Sequence, residues 1–104
     1  MYPIKNYACK NECVYLLYNN ITKLSKVGIT SNIYERHRSL ERQGGIKLSM
    51  IGLCEIEKNE NEPAVIVEKY IHSYFKNKRK DGEWFDLRFR DHAEIIKLFN
   101  LISN

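Results

Sequence analysis

The chain has 104 residues, with 17 Lys or Arg against 13 Asp or Glu, which gives a net charge of +4 and a pI near 9.0. A chain of this length holds one hydrophobic core, so we expect a single domain over residues 1–104. Its hydrophobic share of 43% and charged share of 29% are typical of globular domains and exclude a disordered tail, a coiled coil and a membrane protein.

The cysteines and the start of the chain indicate the compartment. No apolar stretch of signal-peptide type follows Met1. The three cysteines, Cys9, Cys13 and Cys54, are an odd number for a disulfide framework. We therefore expect free thiols in a reducing, cytoplasmic environment. The modest positive charge permits a phosphate-bearing partner without requiring one.

Two strands open the predicted fold. The β-branched and aromatic run at residues 13–18 is typical of a buried strand, and Asn19-Asn20 favours a turn because Asn tolerates a positive φ. The alternating run at 26–30 predicts a second strand. Together these segments predict an antiparallel hairpin.

The two faces of the second strand differ in chemistry. The apolar face carries Val27 and Ile29, and the other face carries Lys26, Gly28 and Thr30. A loop at residues 19–22 would place Tyr15 opposite Lys26, and opposite residues of an antiparallel pair point to the same face of the sheet. The sequence thus predicts a tyrosine and a lysine side by side.

Three helices follow the hairpin, with a third strand between the first two. The first helix begins at Asn32, where Glu35 completes a capping-box signature, and it ends at Gly44-Gly45. The remaining predicted elements are a strand at 48–56, a helix from Pro63 to a basic stretch at 76–80, a short extended segment at 83–87 and a helix at about 91–102. This order predicts an α+β domain with a small three-stranded antiparallel sheet flanked by helices.

Five short motifs occur in a fixed order between residues 13 and 87. They are Cys13-Val14-Tyr15, Lys26-Val27-Gly28, Arg36 eight residues after Gly28, Glu68 on the second long helix, and Glu83-Trp84-Phe85. Together they resemble the GIY-YIG endonuclease family, which has Gly-Ile-Tyr and Tyr-Ile-Gly signatures, a helical arginine and a metal-binding glutamate in this order. The last motif and the lysine of the second are similar to a branch met in phage genes and in meiotically up-regulated-gene-type proteins.

The resemblance implies a one-metal endonuclease that hydrolyses phosphodiester bonds of double-stranded DNA with Mg²⁺ or Mn²⁺. Glu68 would bind the metal, as suits a hard cation whose other ligands are water and substrate phosphate. Arg36 would bind the phosphate through its guanidinium fork. Tyr15 would accept the proton of the attacking water. Free tyrosine has a pKa of about 10, and a neighbouring Lys26 would favour the phenolate.

Two positions depart from the family pattern. Many members have a histidine one turn after the arginine, where this chain has Leu40, and the family's later asparagine is missing. His72, one turn beyond Glu68, is the candidate auxiliary group, acting on the leaving group or hydrogen-bonding the water or Tyr15.

The motif residues expected to have structural roles are Val14, Val27, Gly28, Thr30, Trp84 and Phe85.

Several alternatives remain open at this point. The basic run consists of Lys76, Lys78, Arg79 and Lys80. In one interpretation these side chains contact phosphates and give the protein a salt-dependent affinity for nucleic acid. In the other they are solvent-exposed charges at the end of a helix, where the helix dipole favours them. Three interpretations of the chain as a whole remain open. It is an endonuclease, a catalytically weak or inactive nucleic-acid-binding module of the same fold, or a protein-interaction domain. Its short length leaves no separate specificity module, so a homodimer or a partner protein would supply selectivity.

Overall fold

Residues 11–103 are described by a computed structural model, in which five strands and three helices follow one another. The strands are β1 (Asn11–Asn19), β2 (Leu24–Thr30), β3 (Ser49–Glu57), β4 (Arg79–Asp81) and β5 (Trp84–Phe85). The helices are α1 (Ile33–Gly44), α2 (Pro63–Tyr74) and α3 (Phe89–Ile102), and one 3-10 turn at Lys76–Lys78 precedes β4. Within the described range, no helix combines the length and the apolar character needed to cross a membrane.

The α+β class predicted from the sequence is confirmed, and the sheet is larger than expected. Its strands lie in the order β3-β1-β2-β5-β4, and every neighbouring pair is antiparallel. The three predicted strands form one side, and the short strands β5 and β4 extend it. Gly82, at φ +57°, makes the tight reversal between β4 and β5. Beyond Lys26, β2 has no second strand beside it in the described part of the chain.

The register of the first hairpin differs from the predicted one by two residues. The loop spans residues 20–23 instead of 19–22, so Tyr15 lies opposite Gly28 and not opposite Lys26. A shift of one residue would have moved these side chains to opposite faces, but a shift of two preserves the face. Tyr15 and Lys26 therefore still point to the same side of the sheet.

The side chain of Asn19 explains the shift. Its backbone pairs with Leu24 as the last strand residue, and its Oδ1 accepts the N–H groups of Ile21 at 2.8 Å and Thr22 at 3.1 Å. Lys23 closes the loop at φ +66°. Asn19 thus stabilises the turn from the strand position that precedes the loop, and it does not occupy one of the central loop positions.

The sheet is covered on both faces. The back face, on which α2 and α3 pack, buries Val14, Leu16, Val27, Cys54, Ile71, Phe75, Phe85, Ile95 and Phe99. The front face, on which α1 packs, buries Cys13, Tyr15, Leu17, Ile33 and Leu48. Alternation along β1 divides its side chains between the two layers, so this central strand is buried from Cys13 to Leu17.

The described cysteines are free thiols, as the sequence predicts. Cys13 and Cys54 are buried on opposite faces of the sheet, and Cys9 lies outside the described residues. Burial, with a contribution from the Glu55 carboxylate, raises the pKa of Cys13 to about 12. A thiol that stays protonated at neutral pH is a poor nucleophile, so these cysteines have packing roles.

A partly buried ion pair ties the start of α3 to the segment after α2. Lys78 Nζ lies 2.7 Å from Asp91 Oδ2, and the same carboxylate accepts the Arg88 N–H at 2.8 Å. Burial by itself would raise the pKa of Asp91, but these hydrogen bonds outweigh it and the pKa is lowered. One member of the predicted nucleic-acid-binding run, Lys78, is therefore engaged within the protein.

Replacing Asp91 by Asn should destabilise the fold in a pH-dependent way. The variant loses the charge that Lys78 and the helix start bind, so we expect the free energy of unfolding at pH 7 to fall by about 2 kcal/mol. Because the pKa of Asp91 is lower in the folded state, its contribution is present above the unfolded value of about 3.9 and disappears as the pH falls through the folded value. Urea unfolding followed by Trp84 fluorescence at pH 7 and pH 3 measures this difference.

The matched control is Asp81→Asn, because Asp81 is exposed on β4. We expect its effect on stability to stay within about 0.5 kcal/mol at either pH. Equal destabilisation by the two variants, or an Asp91→Asn effect that is undiminished at pH 3, would contradict this assignment.

Candidate active site

Tyr15 lies across Gly28 at the centre of the front face. Its side chain projects from β1, is 1% exposed, and covers the backbone of the residue opposite it on β2. A Cβ at position 28 would lie 2.6 Å from Tyr15 Cζ, well inside van der Waals contact. Gly28 is required here because a tyrosine ring occupies the space a side chain would fill.

The hydroxyl of Tyr15 is available for chemistry. It makes no hydrogen bond to any of residues 11–103, yet the oxygen is not sealed from solvent. Burial raises the pKa of Tyr15 to about 12; Arg36 opposes that shift, and the carboxylates of Glu83 and Glu68 add to it. The phenol is thus buried with one guanidinium and two carboxylates around it.

Lys26 is held on the same face by two contacts. Its Nζ lies 3.0 Å from Glu83 Oε1 and 5.5 Å from the centroid of the Trp84 ring, and its side chain is 13% exposed. The pairing of Lys26 with Trp84 across β2 and β5 brings these groups together. The cation that favours ionisation of Tyr15 is Arg36, whereas the sequence led us to expect Lys26 in that role.

His72 holds α2 against the part of β2 beyond Lys26, where no second strand pairs with β2 in the described part of the chain. Its Nε2 lies 2.8 Å from the Val27 carbonyl oxygen and donates to it, and its ring packs 5.0 Å from that of Phe85. Arg79 Nη2 lies 3.5 Å from the other ring nitrogen. The imidazole therefore has two partners within the protein, and its first effect is to position the helix that carries Glu68.

Glu68 enters the site from α2, one turn before His72. It is half-buried, and its pKa is raised by burial and by the Glu83 carboxylate, while His72, Lys26 and Lys69 lower it. A carboxylate that burial and a like charge destabilise gains from an added cation. These surroundings fit a divalent metal.

The ligand set fits a hard cation. Within residues 11–103, no three His, Cys, Asp or Glu side chains converge in a cluster suited to a metal ion, as a closed zinc site requires. Mg²⁺ is commonly bound through one or two carboxylates, with waters and substrate phosphates as its other ligands. Glu68 would hold such an ion, with the neighbouring Glu83 adding negative charge.

Arg36 reaches the site from the first turn of α1. The helix begins as predicted, because Asn32 Oδ1 accepts the Glu35 N–H at 3.1 Å, and Thr30 Oγ1 in turn accepts the Asn32 N–H at 3.1 Å. The guanidinium of Arg36 is exposed and forms no ion pair among the described residues. It is therefore free to bind a phosphate.

The basic run divides into engaged and exposed side chains. Lys78 pairs with Asp91, and the guanidinium of Arg79 lies 5.3 Å from the Phe85 ring centroid. Lys76 and Lys80 are exposed on the 3-10 turn and on β4. Only part of the predicted run thus remains available for a polyanion.

Glu83 is the site residue that sequence reasoning missed. The sequence assigns structural roles to Trp84 and Phe85 of the same motif and no role to Glu83. The structure shows it binding Lys26 and acting on the ionisation of both Tyr15 and Glu68. Glu83 is adjacent in sequence to Trp84, which lies opposite Lys26 in the sheet. The sequence shows this adjacency, but the pairing of β2 with β5 must be known before it places Glu83 beside Lys26.

An antiparallel α+β domain in which a guanidinium and carboxylates act on a phenol at the front face of the sheet suggests a nuclease-like or DNA-binding protein. The family model of the T5orf172 domain matches residues 12–102, so the chain belongs to the T5orf172 family. This is a phage-associated domain related to GIY-YIG-like or HNH-type nucleases. No curated protein and no solved structure gives a significant match.

Replacing Gly28 by Ala should damage the site and the fold together. The new methyl group would overlap the Tyr15 ring, so we expect a loss of about 1–3 kcal/mol in unfolding free energy, as for other overpacked cores. Gly44→Ala is the matched control, since open space surrounds that helical glycine and alanine favours helix. Thermal unfolding checks both variants, and equal stability of Gly28→Ala and wild type would contradict the packing described here.

Proposed function

We propose that this protein is a metal-dependent endonuclease of the GIY-YIG type that hydrolyses phosphodiester bonds of double-stranded DNA. The observation that carries the proposal is the Tyr15 side chain, which is 1% exposed, while its hydroxyl has no hydrogen-bond partner among residues 11–103 and stays open to solvent, under the influence of the charges of Arg36, Glu68 and Glu83. Because burial holds the ring in place while the oxygen stays open to solvent, the hydroxyl can contact a bound water or a substrate.

The chemistry of phosphodiester hydrolysis assigns a role to each group. The reaction needs a deprotonated water, neutralised charge on the phosphoryl oxygens and a stabilised leaving oxygen. Arg36 suits the phosphoryl oxygens because its fork is exposed and unpaired in the described structure. Glu68 would hold the divalent cation, which supplies electrophilic stabilisation and lowers the pKa of bound water. Lys26 adds positive charge on the same face.

Tyr15 is the proposed general base, and its surroundings set a condition on that role. With a pKa of about 12, about one phenol in 10⁵ is ionised at pH 7. Arg36 already favours the phenolate, and positive charge brought to the site would favour it further. A base that is mostly protonated gives a rate that rises with pH until its pKa is reached.

Exposed positive charges support DNA as the partner. Lys76 and Lys80 on the flank, together with Arg36, fit phosphate contacts that carry no sequence information. A single site of this size cuts one strand at a time, so a homodimer or a partner protein would serve double-strand cleavage and selectivity.

The second candidate function is a nucleic-acid-binding module without catalysis. The raised pKa of Tyr15 favours it, because a phenol that stays protonated cannot act as a base. The retention of Arg36 and Glu68 around that phenol favours the enzyme.

A nicking assay on supercoiled plasmid with Mg²⁺ or Mn²⁺ tests the proposal. We expect Tyr15→Phe and Glu68→Gln to lower the nicking rate by at least about 100-fold, since each removes a group that acts in the transition state. The wild-type rate should rise with pH between 7 and 10, and the residual rate of Tyr15→Phe should not. Tyr70→Phe and Glu94→Gln, which alter exposed residues away from the site, are the matched controls.

Nicking that survives in both site variants would contradict the assignment of the site. DNA binding by the wild type without cleavage under either metal would support the binding module instead. Circular dichroism of each variant distinguishes lost chemistry from lost folding.

A further inference from the structure

The ammonium group of Lys26 forms an ion pair with one carboxylate, because its Nζ lies 3.0 Å from Glu83 Oε1. The hydrogen bond from His72 to the Val27 carbonyl holds α2, which carries Glu68 one turn before His72, against the strand of Lys26. The positive charge of Lys26 also acts on Glu68 and lowers its pKa.

Glu83 reaches this position through the turn between β4 and β5. Gly82, in the left-handed region, directs the following residue toward β2, where Lys26 pairs with Trp84. The side chain of Glu83 remains 44% exposed, so it has room to rotate. Lys26 likewise has a flexible four-carbon stem, and its ammonium is a point charge that needs no fixed geometry.

The phenol of Tyr15 is the independent sign that a ligand belongs here. Its side chain is 1% exposed, and its hydroxyl is open to solvent, has no partner among the described residues and is acted on by the charges of Glu68 and Glu83. A hydrated cation between the carboxylates would give that oxygen a hydrogen-bond partner through its water.

We propose that Glu83 and Glu68 share the divalent cation of this site, and that Lys26 takes the cation's place beside Glu83 when the cation is absent. The inference rests on the proposed metal-binding role of Glu68 and adds a second carboxylate to it. Mg²⁺ and Mn²⁺ bind carboxylate oxygens, and two carboxylates offset a divalent charge better than one. The ammonium of Lys26 and the metal then compete for Glu83.

The competition gives opposite expectations for two substitutions. Glu83→Gln removes a carboxylate, so its affinity for Mn²⁺ should fall by at least about tenfold. Lys26→Met keeps the apolar stem on Trp84 but removes the competing charge, so its affinity for Mn²⁺ should rise by about three- to tenfold. Loss of the Lys26 charge would by itself favour a cation at Glu68, so the decrease in affinity on Glu83→Gln is the change that identifies Glu83 as a ligand.

Binding of Mn²⁺ to the full-length protein is measured by electron paramagnetic resonance, which follows the loss of the free-ion signal and requires no cleavage. Glu68→Gln is measured in parallel, and exposed Glu94→Gln and Lys97→Met on α3 control for the change in net charge. Circular dichroism confirms that each variant is folded. The two controls should bind Mn²⁺ as the wild type does.

Three results would overturn the inference. If Glu83→Gln binds Mn²⁺ like wild type while Glu68→Gln does not, Glu83 only positions Lys26 and the proposed endonuclease site survives. If Lys26→Met binds Mn²⁺ no more tightly than wild type, Lys26 does not compete with the metal. If Glu68→Gln also binds normally, or the wild type does not bind, the metal site of the proposed function fails as well.

Discussion

The site depends on the packing of the Tyr15 ring on Gly28. The contact requires the hairpin register that places the two residues opposite one another, and it requires a glycine, because a Cβ would overlap the ring. It also holds the phenol in the centre of a covered sheet with its oxygen turned toward charged side chains. Burial thus fixes the position of the hydroxyl while making its ionisation more difficult. The same contact gives the candidate base its orientation and its high pKa.

The charged groups around that phenol come from four parts of the chain. Arg36 arrives on the capped start of α1, Glu68 on α2, Lys26 on β2 and Glu83 on the turn into β5. At neutral pH the two cations and two carboxylates balance, which lets a protein of this size keep them near one another. A bound metal ion would add positive charge to this group, and a bound phosphate would add negative charge, so the two would offset one another. The short strand β5 serves this arrangement by bringing Glu83 and Trp84 to Lys26.

Local patterns predicted the α+β class, the three long strands and the start of α1, because strand alternation and the Asn32 cap are set by neighbouring residues. The two-residue register error arose because Asn19 stabilises the loop from outside it, which the turn preference of asparagine does not reveal. Arg36 and Glu68, two of the predicted site residues, both act on the ionisation of a third, Tyr15. The role of Glu83 and the engagement of Lys78 by Asp91 depend on long-range pairing, so the sequence alone could not provide them.

The central claim is that a buried phenol and the carboxylate of Glu68 frame a divalent-cation site. The most direct measurement is an anomalous difference map from crystals of the protein soaked in Mn²⁺. The account predicts a peak at about 2.1 Å from a Glu68 carboxylate oxygen, on the side that faces the Tyr15 hydroxyl. A map in which Mn²⁺ binds elsewhere on the protein and leaves Glu68 and Tyr15 without density between them would contradict it.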